Sequence, residues 1–191
     1  WMKRKAAERN CAIAGSVAVC ENGNYYNRFY FVYPDGAVQH YDKKHLFTFG
    51  GEHKRFTAGT ERVVVNFRGV RILLEVCYDL RFPVWARNLG DYDMILYVAS
   101  WPTPRVDAWS ALLRARAIEN QCYVAGVNRM GVDPACEYSG GSAIIDPYGK
   151  TIAECPWSRE SAVSADIDME ALQAFRKKFP VLDDVDPFTL I

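Results

Sequence analysis

The sequence ILLEVCYDLRFP at residues 72–83 indicates the fold of this chain. It opens as a near-continuous apolar run, which is typical of a buried strand, and leads directly into Cys77. Polar residues and Pro83 then end the strand. A cysteine at such a point lies on a sharp exposed turn close to backbone N–H groups, as the serine of the hydrolase elbow does. Taken alone, this segment fits a structural strand-end cysteine as well as it fits a nucleophile.

Apolar runs separated by turn residues predict two hairpins around this segment. The separating dipeptides and tripeptides are rich in Gly, Pro and Asp, the residues that tight turns require. The predicted pairs are residues 29–33 with 37–41 across Pro34-Asp35-Gly36, and residues 63–67 with 70–76 across Arg68-Gly69.

The rest of the chain alternates between strand and helix signals. Helical spacing of apolar side chains predicts helices over residues 107–121, capped by Asp107, and over residues 168–178, capped by Asp168. A solvated helix is expected near the N-terminus, leading into a buried strand. Strands with helices at wide intervals favour a layered α/β sandwich. The remaining predicted strands are residues 94–99, 122–127, 143–145, 151–153 and 162–167.

Composition bounds the class of protein. With 191 residues, of which 50% are apolar, the chain can form one domain over residues 1–191 with a substantial core. Its 23 basic residues balance its 23 acidic residues, which argues against a nucleic-acid or anionic-membrane partner. The longest apolar runs are too short to span a bilayer. The basic N-terminal residues are separated from the apolar run by polar ones, which argues against a secretory signal.

The six cysteines contain no Cys-x-x-Cys pair, so neither a zinc ribbon nor a thioredoxin-like site is predicted. Reduced thiols in a cytoplasmic protein are expected. A phosphatase would need Arg six residues after Cys77, where Pro83 stands, and the sequence context of a papain-like enzyme is absent. The three histidines, His40, His45 and His53, form no metal pattern, so we expect neither a metal nor a cofactor.

A second segment, YDKKHLF at residues 41–47, gains meaning beside Cys77. Alone, its lysine pair is typical of a solvated charge run. A free thiol is only slightly ionised at neutral pH, so a catalytic cysteine needs a base or a positive charge nearby. A lysine at a strand end can present its ammonium to a developing oxyanion, and Glu52 can hold that ammonium. Because successive strand side chains point to opposite faces, only one of Lys43 and Lys44 can face Cys77.

These segments together resemble the nitrilase superfamily of carbon–nitrogen hydrolases, in particular its omega-amidase-like bacterial members. The resemblance covers essentially the whole chain, and its motifs come in family order. They are YDKKHLF (41–47), VCYDLRFP (76–83), YVASWP (97–102), RARAIEN (114–120) and the hairpin from Gly141 to Gly149.

The resemblance implies a four-layer α-β-β-α sandwich that forms a homodimer through its helical faces. It also implies that Cys77 is the nucleophile and that Lys43, with the backbone N–H of Tyr78, stabilises the oxyanion. Glu52 then corresponds to the additional acidic residue near the site and not to the general base.

Two further residues are candidates for the substrate pocket. Arg81 suits the remote carboxylate of a substrate, because its planar fork allows bidentate recognition, but a structural ion pair with Asp79 or Asp91 is equally open. Trp101 is either a pocket wall or a buried core tryptophan.

The resemblance also implies that the general-base glutamate lies upstream of Trp1, with an N-terminal part of the fold. We therefore expect a chain running only from Trp1 to Ile191 to be inactive, and the complete protein to release ammonia from a small primary amide such as 2-oxoglutaramate. A catalytically inactive scaffold or binding subunit is the alternative from another class. A nitrilase or carbamoylase is the alternative within the superfamily.

Overall fold

The computed structural model describes residues 1–189 of the chain and contains two main sheets. The first is antiparallel, with β1 (Ile13–Glu21), β2 (Asn24–Val32) and β3 (Val38–Asp42) in that order. Helix α1 (Met2–Arg9) precedes it and contacts β1 and β2. No helix among residues 1–189 has the length and apolar content needed to cross a membrane.

The second sheet has six strands in the order β11-β10-β7-β6-β5-β4. Its three central strands are parallel, whereas β4 and β10 run antiparallel to their neighbours. The strands are β4 (Val64–Phe67), β5 (Val70–Val76), β6 (Met94–Ala99), β7 (Tyr123–Asn128), β10 (Ala143–Ile145) and β11 (Thr151–Glu154). A separate hairpin consists of β8 (Met130–Val132) and β9 (Glu137–Ser139).

The remaining elements are helical. Helix α3 (Val106–Glu119) forms the connection between the parallel strands β6 and β7, and α4 (Met169–Lys178) lies near the end of the chain. The others are α2 (Pro83–Ala86) and 3-10 turns at Thr48–Gly50, Glu52–Lys54, Cys77–Arg81, Thr103–Arg105 and Val181–Asp184.

The core has two layers, one on each face of the second sheet, because strand side chains alternate between faces. One layer lies between the sheets, where Leu74 and Val76 of β5 pack in a cluster with Phe29 and Phe31 of β2. The other lies between the sheet and α3, where Leu73 belongs to a cluster with Ile95, Tyr97, Trp109 and Leu113. This arrangement confirms the predicted α-β-β-α sandwich.

Helix α3 packs closely on β7 because Gly126 has no side chain there. A Cβ at this position would lie 2.5 Å from a methyl group of Leu113 and 2.8 Å from the Trp109 ring. The Trp109 and Leu113 side chains of the helix therefore fill the space directly above the strand, next to the edge where β7 ends.

Local turn chemistry predicted the hairpins correctly. Arg68 and Gly69 both have positive φ, at 51° and 83°, as the two-residue turn between β4 and β5 requires. The cap of α4 is confirmed as well, because Asp168 accepts a hydrogen bond from the Ala171 N–H at 2.8 Å. The predicted helix at the N-terminus is α1.

Three predictions were wrong, and one hairpin was missed. Residues 162–167 form no strand within residues 1–189, since a β-prone run needs a partner strand and these mostly exposed residues have none there. Asp107 is not a cap, because the Thr103–Arg105 turn leads straight into a helix that begins at Val106. Strand β1 is largely exposed instead of buried, and the hairpin of β8 and β9 was not foreseen.

Candidate active site

Cys77 lies directly after β5, at the point where the chain turns sharply into a 3-10 turn. Its φ is +49°, in the left-handed region that non-glycine residues avoid. Such a conformation costs about 1–3 kcal/mol and persists only where the surroundings enforce it. The sharp turn predicted at the strand end is thus present, and the Cys77 Sγ lies 3.9 Å from the Ser100 carbonyl oxygen.

The buried Asp79 carboxylate enforces this turn and joins it to the lysine segment. One of its oxygens accepts hydrogen bonds from the Val76 N–H at 3.0 Å and the Tyr41 hydroxyl at 2.9 Å. The other accepts from the His45 N–H at 2.9 Å and lies 2.8 Å from His45 Nδ1. The partners come from both sides of the site, so one carboxylate fixes the cysteine turn relative to the lysine loop.

Lys43 follows β3 directly and points into the same cavity as Cys77. It is only 3% exposed, and its Nζ donates to Glu52 at 2.6 Å. Glu52 also accepts from the Phe47 N–H at 2.6 Å and the Asn27 side-chain amide at 3.2 Å. Lys44 lies elsewhere, with its Nζ 5.2 Å from the centre of the Trp85 ring.

The surroundings shift the pKa values of Cys77 and Glu52 in opposite directions. Burial raises the pKa of the Cys77 thiol, and the Lys43 ammonium offsets this only in part. The resting thiol is therefore protonated at neutral pH. Burial would also raise the pKa of Glu52, but Lys43 and the hydrogen bonds from Phe47 and Asn27 outweigh it and lower that pKa below its ordinary value. Glu52 is thus a stable anion, suited to holding an ammonium and poorly suited to accepting a proton.

All six residues predicted for the site line one cavity of about 480 Å³. Three of its walls come from the ends of β5, β6 and β7, which meet because these strands are parallel. The predicted residues are Lys43, Glu52, Cys77, Tyr78, Arg81 and Trp101.

Trp101 satisfies both of its alternatives, since it is buried in the core and also forms a wall of the cavity. Its backbone N–H donates to the Asn128 side chain at 2.7 Å. Arg81 is exposed, with its guanidinium 5.0 Å above the centre of the Trp101 ring. Arg81 forms no ion pair with Asp79 or Asp91 within residues 1–189. Asp79 accepts hydrogen bonds from Tyr41 and His45, and Asp91 pairs with Arg62.

A family profile for carbon–nitrogen hydrolases matches residues 1–177. The chain belongs to the carbon–nitrogen hydrolase family. It is 52% identical over 191 residues to the omega-amidase YafV of Escherichia coli K12, a match that covers 100% of this chain and 75% of that protein. It is 41% identical over 189 residues to the 2-oxoglutaramate amidase of Bacillus subtilis, covering 97% of this chain and 73% of that one.

Among solved structures, the chain superposes on XC1258 of Xanthomonas campestris with a TM-score of 0.96 and 47% identity. That match covers 100% of this chain and 75% of the other. XC1258 is a protein of the carbon–nitrogen hydrolase superfamily, and its crystal structure contains an arsenic adduct in the active site. The family, the fold and the enzyme class expected from the sequence are therefore confirmed: this is a carbon–nitrogen hydrolase.

Several lining residues of this hydrolase were missed by the sequence reasoning. Arg105 ends the turn before α3, and its guanidinium lies 5.4 Å from the centre of the Phe47 ring. Arg129 follows β7, lies 4.3 Å from the centre of the Tyr138 ring and pairs with Asp133 at 3.3 Å. The signal that could have found them is their position after the parallel strands β6 and β7, whose carboxyl ends border the crevice of such a sheet.

Proposed function

We propose that this site is the thiol-nucleophile centre of an omega-amidase-like enzyme that releases ammonia from a small primary amide carrying a carboxylate, such as 2-oxoglutaramate. The observation that carries the proposal is the single cavity shared by Cys77, on its strained turn, and the buried Lys43–Glu52 pair. The names of the Escherichia coli and Bacillus subtilis relatives support this substrate class.

In the first half of the reaction, Cys77 attacks the amide carbonyl. A general base, the glutamate implied by the family resemblance, takes the thiol proton as the sulfur–carbon bond forms. The carbonyl electron pair moves to oxygen, and the oxyanion is stabilised by the Lys43 ammonium and the backbone N–H of Tyr78. Glu52 holds the Lys43 ammonium in place. It accepts a hydrogen bond from Lys43 and is itself fixed by hydrogen bonds from Asn27 and the Phe47 N–H.

In the second half, the tetrahedral intermediate collapses and the carbon–nitrogen bond breaks. The leaving nitrogen receives a proton from the same general acid–base group, and ammonia departs. A water molecule, deprotonated by that group, then attacks the thioester. The carbon–sulfur bond breaks, which regenerates the Cys77 thiol and releases a carboxylic acid.

The far end of the substrate lies against Arg81 and Trp101 in this proposal. The guanidinium of Arg81 is exposed above the Trp101 ring and makes no ion pair with side chains of residues 1–189, so its donors can bind a carboxylate in a bidentate manner. The Trp101 ring forms an apolar wall for the methylene chain.

Ammonia release by the complete gene product tests the proposal. We expect turnover of 2-oxoglutaramate, loss of turnover in Cys77→Ala, and little or no hydrolysis of a nitrile or an N-carbamoyl amino acid offered at the same concentration. A folded wild-type protein that releases no ammonia from any amide would favour the scaffold alternative. Preference for the nitrile or the carbamoyl compound would favour another branch of the superfamily.

We also propose that the enzyme works as a cytoplasmic homodimer. The cytoplasmic location is supported by the six free cysteines, because free thiols are oxidised in an oxidising compartment. The dimer is supported by the family resemblance, which implies association through helical faces. Light scattering during size-exclusion chromatography should give twice the mass of one chain, and a monomer mass contradicts the dimer.

A further inference from the structure

The cavity carries two positive charges that no carboxylate of residues 1–189 neutralises. Five of its lining residues are charged: Lys43, Glu52, Arg81, Arg105 and Arg129. Lys43 pairs with Glu52, and Arg129 pairs with Asp133 outside the lining. Arg81 and Arg105 form no ion pair with any side chain in the described part of the chain. A neutral substrate would leave both of them without a counter-charge.

Arg105 and Arg81 both line the cavity and both contact Trp101. The Trp101 indole N–H donates to the Arg105 carbonyl oxygen at 2.7 Å, and the Arg81 guanidinium lies above the same ring. Arg105 is half-buried, and its guanidinium lies over the Phe47 ring and makes no side-chain hydrogen bond within residues 1–189. Contact with a ring face holds a guanidinium while leaving its N–H donors available for a planar anion.

We propose that Arg105 is a specificity-determining residue that, together with Arg81, binds the carboxylate of the substrate and selects monoamides of dicarboxylic acids over neutral amides. The inference rests on the proposed function and extends it to a residue outside the motifs. Because Arg105 is less exposed than Arg81, its attraction for an anion is less screened by solvent.

Paired substrates provide the test, measured as ammonia release by the complete gene product. Succinamate and butyramide have the same four-carbon amide chain, which ends in a carboxylate in one and in a methyl group in the other. In Arg105→Gln we expect kcat/KM for succinamate to fall about 10- to 100-fold, mostly through KM, as loss of a charge-assisted hydrogen bond implies. Butyramide should change by less than about twofold, since it makes no such bond.

Two further variants make the result specific. Arg105→Lys keeps the charge but loses the planar fork, so it should restore part of the succinamate activity. Arg114→Gln is the matched control, since Arg114 is exposed on α3, does not line the cavity and loses the same single charge. It should leave the ratio of the two substrates unchanged. Thermal melting of each variant checks that it is folded.

Binding of glutarate, measured by calorimetry, separates this inference from the proposed function. Glutarate should bind about 10-fold more weakly to Arg105→Gln than to wild type, whether or not the wild type releases ammonia. An inactive wild type that still shows this difference would refute the amidase proposal alone. Equal losses for succinamate and butyramide, or unchanged binding of glutarate, would overturn the role given to Arg105.

Discussion

Replacing Asp79 with Asn should damage both the stability and the catalysis of this hydrolase, although Asp79 does not line the cavity. The fully buried carboxylate accepts from the Val76 N–H and the Tyr41 hydroxyl on one oxygen and meets the His45 N–H and ring on the other. An asparagine keeps one acceptor oxygen and presents an NH₂ group where the second oxygen was.

The expected magnitude follows from the partner that loses its acceptor. If the NH₂ group faces His45, the ring can change tautomer and accept from it, but the half-buried His45 backbone N–H is left unpaired. If the NH₂ group faces Val76 and Tyr41 instead, the buried Val76 N–H loses its acceptor. A buried unpaired donor costs about 1–3 kcal/mol, and the remaining bonds weaken because the acceptor is no longer charged. We expect a loss of about 2–5 kcal/mol in the free energy of unfolding, a large part of the 5–15 kcal/mol typical of a folded domain.

Urea unfolding measures this loss, and ammonia release at a temperature where the variant is folded measures the catalytic effect. Because Asp79 fixes the Cys77 turn relative to the lysine loop, a displacement of about 1 Å could lower the rate about 100-fold. Asp107→Asn is the matched control: its side chain is exposed and caps nothing, so it should cost less than about 1 kcal/mol. An Asp79→Asn protein as stable and as active as the control would refute the reasoning.

Three more predictions concern the proposed catalytic groups. Lys43→Ala should lower kcat by about 100- to 1,000-fold, the usual loss for one oxyanion stabiliser, whereas Lys44→Ala should be nearly silent; equal effects on ammonia release would contradict the register. Glu52 should stabilise the fold, measured as the difference in unfolding free energy between wild type and Glu52→Gln. This stabilisation should be complete above the ordinary glutamate pKa and should disappear as the pH falls through the lowered pKa of Glu52. A difference that grows in acid would contradict the direction of this pKa shift. Iodoacetamide should label the half-buried Cys77 before Cys122, whose side chain is fully buried and whose pKa is raised by burial. Peptide mapping can show the order, and preferential labelling of Cys122 would exclude Cys77 as the nucleophile.

The parts of this structure that sequence reasoning predicted well depend on neighbours in the chain. The turn at Arg68-Gly69 needs positive φ at two successive residues, and the end of β5 is marked by the apolar run before Cys77 and the breaker after it. Residues 162–167 show the limit, because a strand also depends on a partner that the local sequence does not specify. The pairing of Lys43 and Glu52 with Cys77 came from the family resemblance and not from spacing.

The missed residues have a common physical cause. Arg105 follows β6, Asn128 ends β7 and Arg129 follows it, so they line the same cavity as Cys77 only because both strands run parallel to β5 in register. Parallel pairing joins residues far apart in the chain, and its register is set by packing on both faces of the sheet rather than by a turn. Knowledge of the strand order would have placed these three residues at the same edge of the sheet as Cys77.

The site depends equally on the packing between the two sheets. Lys43 comes from the end of the first sheet and Cys77 from the end of the second, and the layer of Phe29, Leu74 and Val76 between the sheets determines how far apart they lie. Asp79 is the polar counterpart of that layer, since its partners belong to both sheets. In the proposed mechanism, the Lys43 ammonium can therefore reach the oxyanion of the intermediate bound to Cys77 only while this shared core is intact, because the core holds the two residues at their separation.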